Sequence, residues 1–145
     1  MFEVRFATSD LEQEDAFSVR RKVFVKEQGV PLNLELDHFD KTAAHFVVYS
    51  SESPIGAGRI REINDGIGKV ERVCILWEFR GNHLGNLIMS ALEEHAKTTG
   101  MNKIILNAQS YAIPFYEKLG YVITSPEFMD SDMPHRAMEK NIERA

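Results

Sequence analysis

Arg80-Gly81-Asn82-His83-Leu84-Gly85 is the stretch of this chain best suited to hold a charged ligand. It follows a run of strand formers, Lys69–Leu76, and feeds a segment in which Leu84, Leu87, Ile88, Ala91, Leu92 and Ala96 recur three and four apart. That spacing predicts an amphipathic helix. A loop of small residues entering a helix gathers unpaired backbone N–H groups and the positive end of the helix dipole at one point, where a phosphate fits. The loop matches neither of two common nucleotide fingerprints, because it has only Gly81 and Gly85 and no lysine. A tight turn capping an ordinary helix would use the same two glycines.

Asn107 through Tyr121 is the second group. Arg80-x-x-x-x-Gly85 after a strand, followed by Ala112-x-x-Phe115-Tyr116-x-x-x-Gly120-Tyr121, resembles the two signature motifs of the GNAT N-acetyltransferase superfamily. The resemblance covers nearly the whole chain. Arg20-x-x-Val23-Phe24-Val25-x-Glu27-Gln28-x-x-Pro31, Asp37 and Met133-Pro134-His135-x-x-Met138 look like a bacterial subgroup of small GNAT proteins. His83 stands where the superfamily usually has glycine, which draws attention to the backbone there.

The resemblance implies an α/β fold with a mixed central sheet, whose strands ending at Leu76 and Asn107 splay apart to admit the pantetheine arm of acetyl-CoA. It places the pyrophosphate on Arg80, Gly81, Asn82, His83, Leu84, Gly85 and Asn86, and adds Gln109 to the cofactor site. Backbone N–H groups near Val73, Cys74 and Ile75 would polarise the thioester carbonyl. Tyr116 would protonate the departing thiolate, and Phe24, Gln28, Asp37 and His135 would approach the acceptor. The implied activity is acetyl transfer from acetyl-CoA to a primary amine, on a small molecule or a protein, by direct attack in a ternary complex.

Each of these residues also has a plainer reading. Tyr116 could be a core aromatic with a bonded hydroxyl. Glu71 alternates onto the same strand face as Val73 and Ile75, where a carboxylate needs a partner; it is either a general base or one end of an ion pair with Arg59 or Arg61. Cys74 reads as packing, since no cationic neighbour is placed to activate it. Glu35, Asp37, His38 and Asp40 lie close enough to suggest metal ligands but read as a solvated turn, and no metal is expected. His135 could bind substrate, move a proton or be structural. A CoA-binding regulatory module without transfer activity, or a scaffold using this fold for protein contacts, are the competing functions.

The positioning elements follow from pattern. A strand at Phe2–Ala7 leads to a helix capped by Ser9 or Asp10, with Ala16, Phe17, Arg20, Val23, Phe24 and Glu27 inward and Gly29-Val30-Pro31 as its stop. Leu32–Asp40 reads as a turn of helix and a loop. His45–Ser50 and Ile55–Ile63 are antiparallel strands joined around Ser53-Pro54, and Asn64-Asp65-Gly66 is a hairpin turn into Lys69–Leu76. The helix from Leu84 and the strand Ile104–Leu106 complete a parallel βαβ unit. A helix at Tyr111–Leu119 precedes the antiparallel pair Tyr121–Thr124 and Arg136–Asn141, with a loop Pro126–Pro134 between them.

The 145 residues, 43% hydrophobic and free of linkers or repeats, predict one domain over 1–145. A net charge of −5 disfavours nucleic acid as a partner. The absence of a membrane-length apolar run and of a signal-peptide pattern predicts a cytoplasmic protein, either monomer or homodimer. One cysteine allows no internal disulfide.

Overall fold

The computed structural model describes residues 1–143. Strands β1 (Phe2–Phe6), β2 (Ala44–Ser50), β3 (Ser53–Asn64), β4 (Ile67–Ile75), β5 (Lys103–Gln109), β6 (Val122–Ile123), β7 (Phe128–Asp130) and β8 (Met133–Asn141) form one sheet. Their order is β1-β2-β3-β4-β5-β8-β6, with β7 on β8. β4 and β5 run parallel, and the other neighbours are antiparallel. Helices cover both faces, giving an α/β fold of the expected class. Among the described residues no helix is long and apolar enough to cross a membrane.

Alternation along β2 shows how the two layers are held. Phe46 and Val48 join the core under helix α3 (Leu84–Thr98), while Val47 and Tyr49 join the core under helix α1 (Asp10–Arg20). Because both faces are covered, β2 reads as an almost continuous apolar run. Ser9 starts α1 through a reciprocal capping box: its hydroxyl accepts from the Glu12 N–H at 3.1 Å and its own N–H donates to the Glu12 carboxylate at 3.2 Å. In α3 the buried stripe is Leu84, Ile88, Met89, Leu92 and Ala96; Leu87 stays exposed, so the inner face is rotated slightly from the predicted one.

Four features depart from the sequence expectations. After α1 the chain winds into a π-helical stretch, Arg21–Glu27, in which the Gln28 N–H reaches back five residues to the Val23 carbonyl. Gly29, at φ +77°, then stops it. The β2–β3 turn is Ser51-Glu52, both at positive φ, and Ser53-Pro54 opens β3 instead of turning. The predicted loop at Pro126–Pro134 contains β7 and a two-residue turn, Ser131-Asp132, and β8 begins at Met133. Both turns have the φ signs of primed hairpin turns without the Asn or Gly that usually announces them. By contrast Asp65-Gly66, with Gly66 at φ +81°, sits in the predicted hairpin.

The fourth departure is the turn taken to be solvated. Leu32–Glu35 forms a short helix, α2, and His38–Lys41 a 3-10 turn, and both are fastened to the sheet by buried charge. Arg20 and Arg59 are 1% and 0% exposed, and Glu35 is 1% exposed. Arg20 donates to Glu35 Oε2 and to Asp40 Oδ1, each at 2.7 Å. Arg59 donates to Asp40 and to Asp37, which it grips with both terminal nitrogens at 2.8 Å. Among the described residues no group of acidic, histidine or cysteine side chains has the geometry of a metal site. Arg20, Arg59 and Arg72 engage the carboxylates of Glu35, Asp37 and Asp40.

Candidate active site

The site begins with a local fault in β4. Opposite the β3 pair Ala57 and Arg59 stand Cys74 and Glu71, so one extra residue is inserted in β4, and Arg72 carries it at φ +61°. This bulge bends the strand and flips its alternation. Val70, Val73 and Ile75 face the α3 layer while Cys74 faces α1, and Glu71, directly across from Arg59, follows Cys74. Glu71 therefore does not share a face with Val73 and Ile75, contrary to the simple alternation. The bend also ends the parallel ladder: the last β4–β5 pair is Val70 with Leu106, whereas β5 stays on β8 as far as Gln109 with His135.

A cleft of about 1080 Å³ opens in the resulting gap. Leu76 donates its N–H to Ile55 of β3 at 2.8 Å, so by the two-residue period the N–H groups of Ile75 and Val73 point the other way, into the cleft. Those donors have lost their neighbouring strand. They suit the amide and carbonyl oxygens of a linear ligand that takes its place.

At the end of β4, Gly81 (φ +88°) and His83 (φ +59°, ψ +25°) turn the chain into α3. The position where a glycine was expected is thus left-handed. Histidine is among the side chains that tolerate that region, at some cost. No side chain caps α3 and no acidic residue lies in its first turn, which leaves the N–H groups and the dipole open to an anion. Arg80, Gly81, His83, Leu84, Gly85 and Asn86 line the cleft. Asn82 does not; its amide folds back to the Phe79 carbonyl at 2.9 Å. The Arg80 guanidinium is engaged within the protein, with Nε on the Ile75 carbonyl at 2.9 Å and both terminal nitrogens on Glu27 at 2.8 and 2.9 Å.

Gly85 connects this loop to the second motif. A Cβ there would lie 2.9 Å from the Phe115 ring, so only glycine lets helix α4 (Ile113–Lys118) pack against the start of α3. Tyr116, next to Phe115, is held edge-on by Phe115 and Tyr121 at centroid distances of 4.9 and 5.9 Å. It lines the cleft, and its hydroxyl has no partner among the described residues. Burial pushes the phenol well above its ordinary range, so it stays protonated. Cys74 also lines the cleft, but burial pushes its thiol up to about 12, which removes it as a nucleophile.

The opposite wall brings Phe24, Gln28, Gln109 and His135 together. The π-helical winding presents Phe24 and Gln28 to the cleft, and Gln109 donates to the Gln28 carbonyl oxygen at 3.0 Å. His135, 7% exposed, donates from Nδ1 to the Met133 carbonyl at 2.8 Å and stacks on Phe128. Met133, missed in the sequence reading, also lines this wall and lies 3.7 Å from the Gln109 amide.

Two expected residues are committed to arginine. Asp37 is absent from the cleft wall and is held by Arg59 and Arg72. Glu71 reaches the lining, but its carboxylate accepts from Arg59 at 2.9 Å and from Arg61 at 2.8 Å. Burial works to raise its pKa, yet the Arg61 hydrogen bond and the two guanidinium charges hold it below the usual range. The ion pair weighed against a base role is the one the structure builds.

The Acetyltransferase (GNAT) domain family matches residues 7–142. The Uncharacterized N-acetyltransferase YjcF of Bacillus subtilis is 47% identical over 136 residues, which span 93% of this chain and 96% of the relative. A crystal structure from Lactobacillus plantarum shares the fold at a TM-score of 0.90 and 27% identity, covering 97% of each chain. An aminoglycoside 6'-N-acetyltransferase complexed with coenzyme A also has this fold, at a TM-score of 0.77 and 14% identity over 99% of each chain.

Proposed function

The chain belongs to the GNAT acetyltransferase family, whose chemistry is acyl transfer, and from that premise we propose that it moves an acetyl group from acetyl-CoA to a primary amine by direct attack in a ternary complex. The observation that carries this reading is the continuity of the donor side. Unpaired Val73 and Ile75 N–H groups lead along β4 to the uncapped start of α3, with the Tyr116 hydroxyl facing the same gap. An extended arm ending in a pyrophosphate matches that sequence of donors.

In this reading Gly81 through Asn86 hold the pyrophosphate mainly through backbone N–H groups, and the Val73 and Ile75 edge takes the pantetheine arm. One of those N–H groups polarises the thioester carbonyl. The neutral amine attacks the carbonyl carbon, the C–S bond breaks, and the CoA thiolate takes its proton from the Tyr116 hydroxyl. The inert Cys74 thiol supports direct transfer without an acyl-cysteine intermediate. Glu71, clamped by two arginines, has no base role here. One domain carries the whole reaction, and a cytoplasmic setting suits its lone buried thiol.

Acetyl-CoA turnover against a broad panel of primary amines, paired with a thermal shift by CoA, tests this. Turnover with a shift is the expected result. A shift without turnover would replace the enzyme with a CoA-binding module, and neither would remove CoA from the account.

A further inference from the structure

His135 is anchored along one edge and open along the other. Its Nδ1–H donates to the Met133 carbonyl at 2.8 Å, which fixes the tautomer and leaves Nε2 as a lone-pair acceptor. Phe128 stacks on the ring at 6.0 Å and an interplanar angle of 20°, fixing its plane. Nε2 has no partner among the described residues, yet it is not among the buried atoms shut off from solvent, and His135 is part of the cleft lining. An imidazole oriented by a backbone carbonyl, with its second nitrogen bare in a ligand cleft, is arranged for proton transfer.

The surroundings favour this role. Antiparallel pairing puts Gln109 of β5 and Phe128 of β7 directly across from His135, on the same sheet face. By the same period Met133 and Asp130 share that face, as do Lys103 and Glu139 farther along the strands, which pair with each other at 3.8 Å. Gln109 is in turn held by Gln28 of the π-helical turn. The other carboxylates in the lining, Glu35 and Glu71, each accept from buried arginine. His135 is left as the oriented acceptor on this wall.

We propose that His135 is the general base for the acceptor: Nε2 takes a proton from the incoming ammonium and releases a neutral amine for attack. This rests on the acetyl-transfer reading above. The amine nitrogen lone pair then forms the C–N bond as the C–S bond breaks. The second proton of that nitrogen restores the proton given by Tyr116 to the CoA thiolate, and the imidazolium passes the first to solvent. The sum is ammonium plus acetyl-CoA giving amide, CoA and one proton.

His135→Asn is the cleanest variant, because its amide can replace the Nδ1–H bond to Met133 while nothing replaces Nε2. The probes are acetyl-CoA with glycinamide, ethylamine, benzylamine and spermidine, followed across pH. Wild-type kcat/KM is expected to show an acid limb where the base becomes protonated. His135→Asn should lose that limb and about 10²-fold or more in kcat, with the CoA thermal shift kept. His135→Gln, which keeps a polar atom near Nε2 but cannot accept a proton as imidazole does, should be equally slow. If either folded variant keeps the rate and the limb, the base assignment is overturned and acetyl transfer stands. If wild type binds CoA but acetylates none of the four amines, the transfer reading for small amines fails, and the base role with it.

Discussion

The two flanks of the bulged β4 strand treat polar groups in opposite ways. Toward α1, Arg20 and Arg59 have carboxylate partners, and Asp37, Asp40 and Glu71 are each gripped by arginine. Toward β5, the Val73 and Ile75 N–H groups, the Tyr116 hydroxyl and His135 Nε2 are oriented but uncommitted. The first arrangement fixes a shape, and the second keeps capacity for a ligand. A strongly bonded carboxylate such as Glu71 is thereby a poor place to look for chemistry, and a weakly bonded phenol is a better one.

The largest effect should come from breaking the closed flank. Arg59→Met would take one arginine partner from each of three carboxylates, and unfolding in urea should show about 3–5 kcal/mol lost. Acid should probe the same cluster without mutation. Asp37, Asp40 and Glu71 all work against the cost of burial and are held below the usual carboxylate range by guanidinium groups. Their stabilisation is therefore complete above about pH 5 and drains away as pH falls through about 4 toward the folded values. A stability profile flat from pH 6 to pH 3 would contradict the closed description of this flank.

On the open flank, Tyr116→Phe should lower kcat by about 10²-fold while CoA affinity stays within a few-fold, because a thiolate exists only as the transition state is passed. An unchanged kcat under conditions where chemistry limits turnover would take Tyr116 out of the mechanism. A smaller effect sits at the boundary, where Arg80 belongs to both styles. If the pyrophosphate draws Arg80 from Glu27, Arg80→Ala should weaken CoA binding and Glu27→Gln should tighten it, each by about 1 kcal/mol. Isothermal titration giving the same sign for both would show that Arg80 serves only to tie the loop to the π-helical turn.

The smallest expected change is at His83. Replacing a left-handed histidine with glycine relieves strain but adds freedom to the unfolded chain, so His83→Gly should raise stability by no more than about 0.5–1 kcal/mol. CoA affinity should hardly move if only the backbone N–H serves the phosphate. A tenfold loss in titration at neutral pH would bring the imidazole into the site.

What the sequence disclosed follows the range of the interactions involved. The α3 helix, the Asn64-Asp65-Gly66 hairpin and the start of α1 at Ser9 or Asp10 depend on residues within a few positions of one another, and each was legible, with the α3 stripe slightly rotated. Glu35, Asp37 and Asp40 misled because their partners, Arg20 and Arg59, lie 15 to 22 positions away in the chain. Nothing local distinguishes such a turn from a solvated one. The β4 bulge left almost no trace either, apart from Gly58 across from it, whose Cβ would crowd Leu92 at 3.1 Å. Yet that one inserted residue takes Glu71 off the face of Val73 and Ile75 and opens the gap. The Ser131-Asp132 turn was missed because it has neither the Asn nor the Gly that usually announces such a turn, and with it went the strand that carries Phe128 to His135.

Arg59 has a consequence for how this enzyme can change over generations. One guanidinium serves Asp37 and Asp40 of the 3-10 turn and Glu71 of β4 at once, so loss of any one leaves the remainder out of balance. The positions can be exchanged together but hardly one at a time. In the proposed transfer, a change of acceptor would therefore fall to residues with no such obligations, Phe24 and Asp130 among them, and the half of the molecule that looks richest in chemistry is the half in which a single substitution costs most.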